Sequence, residues 1–409
     1  MWLSIHEVSE KLDISIDTVR RWEKKGLIKA ERSDKNHRMF NEEEISLLCN
    51  KLKNKQDNEF KVLKSNIKTP YNAIELFAGA GGTALGFENA GINHLLLNEI
   101  DKNCVETLKY NFPKDTNIIH EDVHKVDFSP WKNKVDIVQA GFPCQAFSYA
   151  GKSMGFEDTR GTLFFEFARC VKETMPKIAV GENVKGLLKH DNGRTLKTMI
   201  NTLIELGYNV QYKVLRAQYL DVAQKRERLI IIAIRKDLDI PFIFPTEQNY
   251  TVSLRSALKN CPKSEGQSYP KRKAEILSLV PEGGYWRDLP INLQKEYMKG
   301  SFYLSGGKTG MARRLSWDEP SLTLTCAPAQ KQTERCHPSE TRPLTIREYA
   351  RIQSFPDNWV FKGTISSQYK QIGNAVPVNL SYHIGCCLIQ MLNQINCIDT
   401  DIELKMAAE

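Results

Sequence analysis

This chain predicts an α/β fold built on a mostly parallel sheet, and three observations predict it. Seven short apolar runs, at 73–77, 95–98, 118–120, 135–140, 178–182, 210–215 and 229–234, alternate with longer amphipathic stretches, the pattern of successive βαβ units. A glycine-rich turn, Gly79-Ala80-Gly81-Gly82, directly follows the first run, as at the first strand-to-helix turn of a Rossmann-like sheet. The alternation then stops between residues 246 and 342, where turn-rich segments such as PEGGYWRDLP and SGGKTGMARR take over, which predicts a smaller inserted domain.

Taken in order, residues 1–49 read as a helix-turn-helix. Ser4 is placed to cap a helix carrying Val8 and Leu12, and Ser15 to cap a second carrying Val19 and Trp22, which Gly26 ends. Arg20, Arg21, Lys24 and Lys25 cluster on or just after that second helix, where a recognition helix meets phosphates and base edges. A hairpin signal follows at Arg38 to Phe40. Residues 50–70 are charged, weakly periodic and closed by Pro70, and read as a linker. The sheet domain occupies 71–245 and the inserted domain 246–342. Helical patterns at 345–353 and 374–392 return the chain to the sheet over 343–396, leaving a tail at 397–409. Every apolar strand pattern starts after Pro70, so residues 1–68 are expected to be dispensable for folding of the sheet domain.

Composition bounds the function. With 409 residues, 41% hydrophobic and 26% charged, the chain is globular and long enough for two or three domains. No apolar run approaches the ~18 residues of a membrane span, and the N-terminus carries acids where a secretion signal is basic; the expectation is a bacterial cytoplasmic protein with no membrane partner. The net charge of +8 favours a polyanionic partner. Ten cysteines show no C-x-x-C pair, which argues against disulfides, and Cys261, Cys326, Cys336 and His337 fit no common zinc spacing. No metal is expected.

The strand ends carry the chemistry. Glycines at 79, 81 and 82 let backbone approach a ligand at a helix N-terminus. Glu99, twenty residues after Gly79, ends the second run, where an acid can bond both hydroxyls of a ribose. Asp122 ends the third, placed to accept from an adenine amine. No Lys-Ser/Thr pair follows the glycines, so a nucleoside site is favoured over a phosphate cradle. Cys144 follows Pro143 at the end of the fourth run, poised over the crevice, where a thiolate needs nearby positive charge. Glu182-Asn183-Val184 and Gln224-Lys225-Arg226-Glu227-Arg228 end or lead into later runs and bring a carboxyl and guanidinium groups to the same crevice.

ELFAGAGG, GFPCQAFS, DTRGTLFFE, ENV, QKRER and GNAVPV occur in the order and approximate spacing of the bacterial cytosine-5 DNA methyltransferases of restriction-modification systems, and over residues 72–396 the chain resembles that family. The N-terminal segment resembles the winged helix-turn-helix of the MerR and excisionase class. The family resemblance implies a Rossmann-like S-adenosylmethionine-dependent sheet with a target-recognition domain at 246–342. It implies methylation of carbon 5 of a specific cytosine in double-stranded DNA, with S-adenosylhomocysteine as product. Cys144 would add to carbon 6 of a flipped-out base. Glu182, with a raised carboxyl pKa, would offset charge at ring nitrogen 3, and Arg226 and Arg228 would orient the reacting groups. Phe77, Ala78, Gly79, Gly81, Gly82, Glu99, Ile100, Asp122, Val123, Pro143, Asn374 and Val376 would hold the cofactor. The stretch 145–161 would be a loop closing on DNA, with Ser148, Lys152 and Arg160 at the duplex. Thr323 and Leu324 resemble the family pair that touches the backbone of the flipped cytosine, while Arg313, Arg314, Lys331, Gln332 and Arg335 would read guanine edges. Implied partners are double-stranded DNA and a cognate restriction endonuclease, with the enzyme acting as a monomer. Two alternatives stand beside this. An RNA cytosine-5 methyltransferase on the same fold would show Pro-Pro-Cys-Gln where Phe142 precedes Pro143, and a DNA-binding regulator would use the N-terminal segment to limit its own expression.

Overall fold

A computed structural model describes residues 2–12, 16–24, 26, 28–33, 37–46, 59–143, 163–306 and 308–406. They fall into two compact units, Met1–Asp57 and Asn58–Glu409.

The first unit holds strand β1 (Trp2–Ser4), helices α1 (Ile5–Lys11) and α2 (Ile16–Lys24), and strands β2 (Ala30–Arg32) and β3 (Arg38–Asn41). Ser4 caps α1 as expected and forms a capping box with Glu7. Val8, Val19, Ile28, Phe40 and Ile45 make a small buried core. Two helices alone could not enclose it; the hairpin β2–β3 and the unforeseen β1, antiparallel to β3, supply the other wall. Lys11–Glu42 (2.9 Å) and Arg38–Glu23 (2.6 Å) pair strand and helix charges at its edge.

In the second unit, β4 (Asn72–Leu76), β5 (Asn93–Glu99), β6 (Ile118–His120), β7 (Ile137–Ala140), β8 (Ile178–Val184), β9 (Tyr208–Arg216) and β11 (Glu227–Arg235) form one seven-stranded sheet, ordered β6-β5-β4-β7-β8-β11-β9. The first five are parallel, while β11 runs antiparallel to both β8 and β9. One face is covered by α5 (Leu163–Thr174) and α6 (Arg194–Glu205), through Phe164, Phe167, Val171, Leu196 and Leu203. The other is covered by α3 (Gly82–Ala90) and α12 (Val378–Met406), through Phe87, Leu380, Ile384 and Leu388. Chain order turns back at β4, so a crevice opens beyond the carboxyl ends of β4 and β7. The stretch Ile365–Ile395 is long and apolar enough to cross a membrane by composition, but 67% of it is buried inside the protein; Pro377 divides it into α11 (Ile365–Asn374) and α12.

The inserted region packs its own core from Tyr269, Leu277, Trp286, Met298, Met311 and Cys336. It is tied to the sheet unit by β10 (Gln224–Lys225), parallel to β12 (Ser321–Leu322), and by Leu254, Leu315 and Leu324, which pack with Tyr349 and Tyr369. Cys104, Cys170, Cys261, Cys326, Cys336, Cys386 and Cys387 are unbridged, and among the described residues no His/Cys/Asp/Glu cluster is arranged for a metal ion.

The linker expectation needs correcting at its second half. Residues 59–70 are an extended strap built into the sheet unit. Phe60 N–H donates to Ser256 Oγ (2.8 Å), Leu63 N–H to Asn379 Oδ1 (2.9 Å), and Asn379 Nδ2 back to the Lys61 carbonyl (2.9 Å). Ser65 N–H reaches the Asn89 carbonyl (2.7 Å), and Thr69 bonds Gly91 through both its N–H and its hydroxyl. The strap's polar sequence hid this because the partners lie from 22 to 318 residues away.

Candidate functional site

A cavity of about 550 Å³ occupies the crevice. β4 ends in Phe77, held at φ +58°, and the chain turns through Gly79 (φ +55°) and Gly81 (φ +84°) into α3. A Cβ on Gly82 would collide with the Val376 carbonyl oxygen, so glycine is required for the segment before α12 to approach α3.

Glu99 closes β5, only 9% exposed. Its Oε2 accepts from Gly79 N–H (2.7 Å) and its Oε1 from Ile100 and Asp101 N–H (both 2.8 Å), so the carboxylate is fixed in direction and Oε2 keeps a lone pair for a ligand. Phe77, Ala78, Gly79, Gly82, Glu99, Ile100, Pro143, Asn374 and Val376 all line the cavity. Three expected residues do not. Gly81 packs instead against Leu108, Phe112 and Trp359. Asp122 bonds His124 through Oδ1, at both its N–H (3.1 Å) and its ring Nδ1 (2.7 Å), and Val123 is turned into the sheet core.

At the deeper end, β8 and β11 place Glu182 and Arg228 together: Arg228 Nε meets Glu182 Oε1 at 2.7 Å, with both side chains largely buried. Burial pulls the Arg228 guanidinium down from its ordinary range, against the pull of Glu182. Pro143 lines the same space; Cys144, Ser148, Lys152 and Arg160 lie outside the described residues. Arg226 lines the same cavity as Glu182 and Arg228. It is 1% exposed and its Nη atoms donate to the carbonyls of Leu324 (3.4 Å), Gly373 (3.1 Å) and Ala375 (3.0 Å), so it clamps backbone, with only its Nε left unbonded.

The cavity floor holds residues the sequence reading missed. Glu75 and Gln139 are register partners on neighbouring strands, both buried, with Glu75 Oε2 and Gln139 Oε1 lacking hydrogen-bond partners. His94 Nε2 lies 3.5 Å from Glu75 and its Nδ1 3.5 Å from Glu88. Burial pulls the His94 imidazolium down, but the two carboxylates more than offset it and raise it to about 9; burial pushes the Glu75 carboxyl up. The Glu immediately before the glycine turn was the available signal for Glu75. At the rim, Lys370 and Asp101 pair at 3.2 Å.

In the inserted region, two of the five expected readers are structural. Arg314, 4% exposed, donates to the carbonyls of Val280, Leu277, His337 and Glu340. Arg335, 5% exposed, holds the Thr323 carbonyl with two N–H groups (3.0 and 2.7 Å) and that of Glu334 with a third (2.6 Å). Leu324 is buried in the main core, and half-buried Thr323 donates its hydroxyl to the Lys225 carbonyl (2.8 Å). Arg313 is half-buried over Tyr285 and bonded to the Gly283 carbonyl, Lys331 reaches the Met298 carbonyl (3.3 Å), and Gln332 is exposed. In the N-terminal unit Arg20 is exposed on α2, Arg21 and Lys24 lie on the same helix, and Lys25 falls outside the described residues.

Comparison with known proteins places these features. The model of the C-5 cytosine-specific DNA methylases matches residues 71–390, and that of the MerR family regulatory proteins matches residues 4–40. The chain is 57% identical to the Type II methyltransferase M.Eco47II of Escherichia coli, covering 96% of each. It is 60% identical to M.PspPI of a Psychrobacter species over 79% of this chain and 80% of that one. Its fold is similar to that of a DNMT2 mutant of Spodoptera frugiperda, with a TM-score of 0.58 at 17% identity, over 78% of this chain and 99% of that one. With a family match over most of its length and relatives at this level of identity, the chain belongs to the C-5 cytosine-specific DNA methylases and is a DNA (cytosine-5-)-methyltransferase.

Proposed function

We propose that the enzyme methylates one cytosine in a short double-stranded DNA sequence by covalent catalysis from Cys144, protecting host DNA in a restriction-modification system. The observation that carries this is the buried Glu182–Arg228 pair facing the same cavity as Glu99 and Pro143, because it sets an acid, a cation and the residue before the thiol around one space large enough for a base and a nucleoside.

The residues fit S-adenosylmethionine. Glu99, fixed by three backbone N–H groups, would take the ribose hydroxyls, exposed Ile100 would cover one face of the adenine, and the unpartnered Gln139 Oε1 suits an ammonium group. Bound there, it supplies an electrophilic methyl group. The chain's own residues do the rest. The Cys144 thiolate adds to carbon 6 of the flipped cytosine, which turns carbon 5 into a nucleophile and pushes charge to ring nitrogen 3. Glu182 faces that nitrogen, and Arg228 holds Glu182 in place and offers its remaining N–H groups to the ring carbonyl. Once carbon 5 has taken the methyl, with the methyl–sulfur bond of the sulfonium broken, loss of the carbon 5 proton to solvent would break the carbon 6–sulfur bond and return Cys144 as a thiolate.

The N-terminal unit supports an added role in binding the protein's own promoter: it carries the MerR-type match and a basic helix α2. The enzyme works in the bacterial cytoplasm, as a monomer, alongside a cognate endonuclease. Incubation with labelled S-adenosylmethionine and either DNA or RNA tests the reaction; label entering RNA alone would overturn it. Bisulfite sequencing of DNA from an expressing host would identify the target, and absence of any methylated site there would overturn the protective role.

A further inference from the structure

Beneath the active site, five residues close a hydrogen-bonded ring that the mechanism does not use. Leu324, next to the strand that ties in the inserted region, has its N–H bonded to Gln224 Oε1 (2.8 Å) and its carbonyl to Arg226 Nη1 (3.4 Å). Gln224 Nε2 donates to Gln353 Oε1 (2.8 Å). Gln353 Nε2 donates to the carbonyls of Ile372 (2.7 Å) and Ala375 (3.2 Å), and Arg226 Nη2 returns to Ala375 (3.0 Å). Gln224 and Gln353 are both 0% exposed.

The ring's two ends matter. Ala375 belongs to the segment 373–376 that lines the cavity, and Leu324 follows Thr323, whose carbonyl Arg335 grips inside the inserted region. Arg226 and the two glutamines span the interval between them with direct polar bonds. A buried amide has no substitute partner, so displacing one end strains every bond in turn. Hydrophobic packing alone would let the two segments slide independently.

We propose that the Gln224–Gln353 amide pair is a positioning device that couples the cofactor segment 373–376 to the target-recognition segment at Thr323–Leu324, so that target DNA and cofactor each tighten the other's binding. This rests on the reading of the cavity as the cofactor site. By linkage, the effect on the two affinities must be equal.

The test uses the full chain, S-adenosylhomocysteine, and two duplexes, with and without the bisulfite-identified target. Calorimetry on the wild type is expected to give at least about fivefold tighter S-adenosylhomocysteine binding with the target duplex present, the lower end of typical coupling. Gln224→Met and Gln353→Met should each cut that ratio to below about twofold, and the double variant should fall no further, since all three open the same ring. A merely structural role would weaken binding with and without DNA alike and leave the ratio unchanged. Folded variants that keep the wild-type ratio, or a wild type with a ratio of one, overturn the proposal. If Gln353→Met does not fold, Gln353→Glu carries the test, because it keeps the acceptor for Gln224 and removes the donors to Ile372 and Ala375. Wild type that binds no S-adenosylhomocysteine at all contradicts the cofactor reading instead, which separates the two failures.

Discussion

Removing the N-terminal unit should be harmless or ruinous depending on where the cut falls. The first unit has its own buried core and ends at Asp57, whereas residues 59–70 are bonded into the sheet unit at Ser256, Asn379, Asn89 and Gly91. A chain starting at residue 58 should keep its fold and its methyl transfer. A chain starting at residue 71 loses those bonds, at about 1 kcal/mol net each, and the packing of Phe60 against Ala223, Val252 and Ala257. Six bonds make the strap worth about 6 kcal/mol, a large part of the 5–15 kcal/mol that stabilises a typical protein. Asn379 would lose its bonds to Leu63 and Lys61 while staying anchored to the Asp221 carbonyl, beside the start of α12 and the cavity segment. The expected result is a Tm about 10 °C lower for the shorter chain, with loss of soluble protein, read by differential scanning calorimetry on both truncations. Equal Tm values would show that the strap is a passive tether and that the reasoning from its bonds is wrong. The shared loss in both truncations should be salt-sensitive binding to the duplex upstream of the gene, measured by gel shift.

Four further outcomes are expected. Cys144→Ser should abolish methyl transfer while leaving DNA binding intact, and a duplex with 5-fluorocytosine at the target should trap a covalent adduct with the wild type, visible as a denaturation-resistant band; turnover by the serine variant would rule out the thiolate mechanism. Glu99→Ala should weaken S-adenosylmethionine by about 1–3 kcal/mol, the scale of lost hydrogen bonds to a charged group, with calorimetry as the check. Gly82→Ala should lower cofactor affinity because its Cβ forces the Val376 carbonyl away, and unchanged affinity would mean that segment moves freely. His94 sits between Glu75 and Glu88 with its folded value raised to about 9 from 6.5, so its stabilising effect is fully present below pH 6.5 and is lost as pH rises through 9. The stability gap between wild type and His94→Gln, measured by urea unfolding, should therefore be widest near pH 6 and narrow by pH 10.

What the sequence revealed and what it hid follow one physical division. The run at 118–120 matches β6, and those at 73–77 and 229–234 fall on β4 and β11, because a buried strand needs consecutive apolar side chains and writes them into the local pattern. Glu99, Glu182 and Arg228 were legible because strand ends in an open sheet point at the crevice. Arg314 and Arg335 were misread for one reason: an arginine in a turn-rich segment reads as a surface cation, yet each is buried and bonds main-chain carbonyls. Side-chain-to-backbone bonds across long separations leave no periodicity. The strap, Gln139 and the Gln224–Gln353 bond escaped in the same way.

The buried arginines of the inserted region have an evolutionary consequence. Arg314 and Arg335 hold their surroundings by carbonyl oxygens, which every amino acid possesses, so the frame they impose is indifferent to which side chains its loops display. An exposed residue such as Gln332 can therefore be exchanged without loosening the loop that presents it. The exposed side chains of the inserted region are then free to change one at a time while the scaffold stays put.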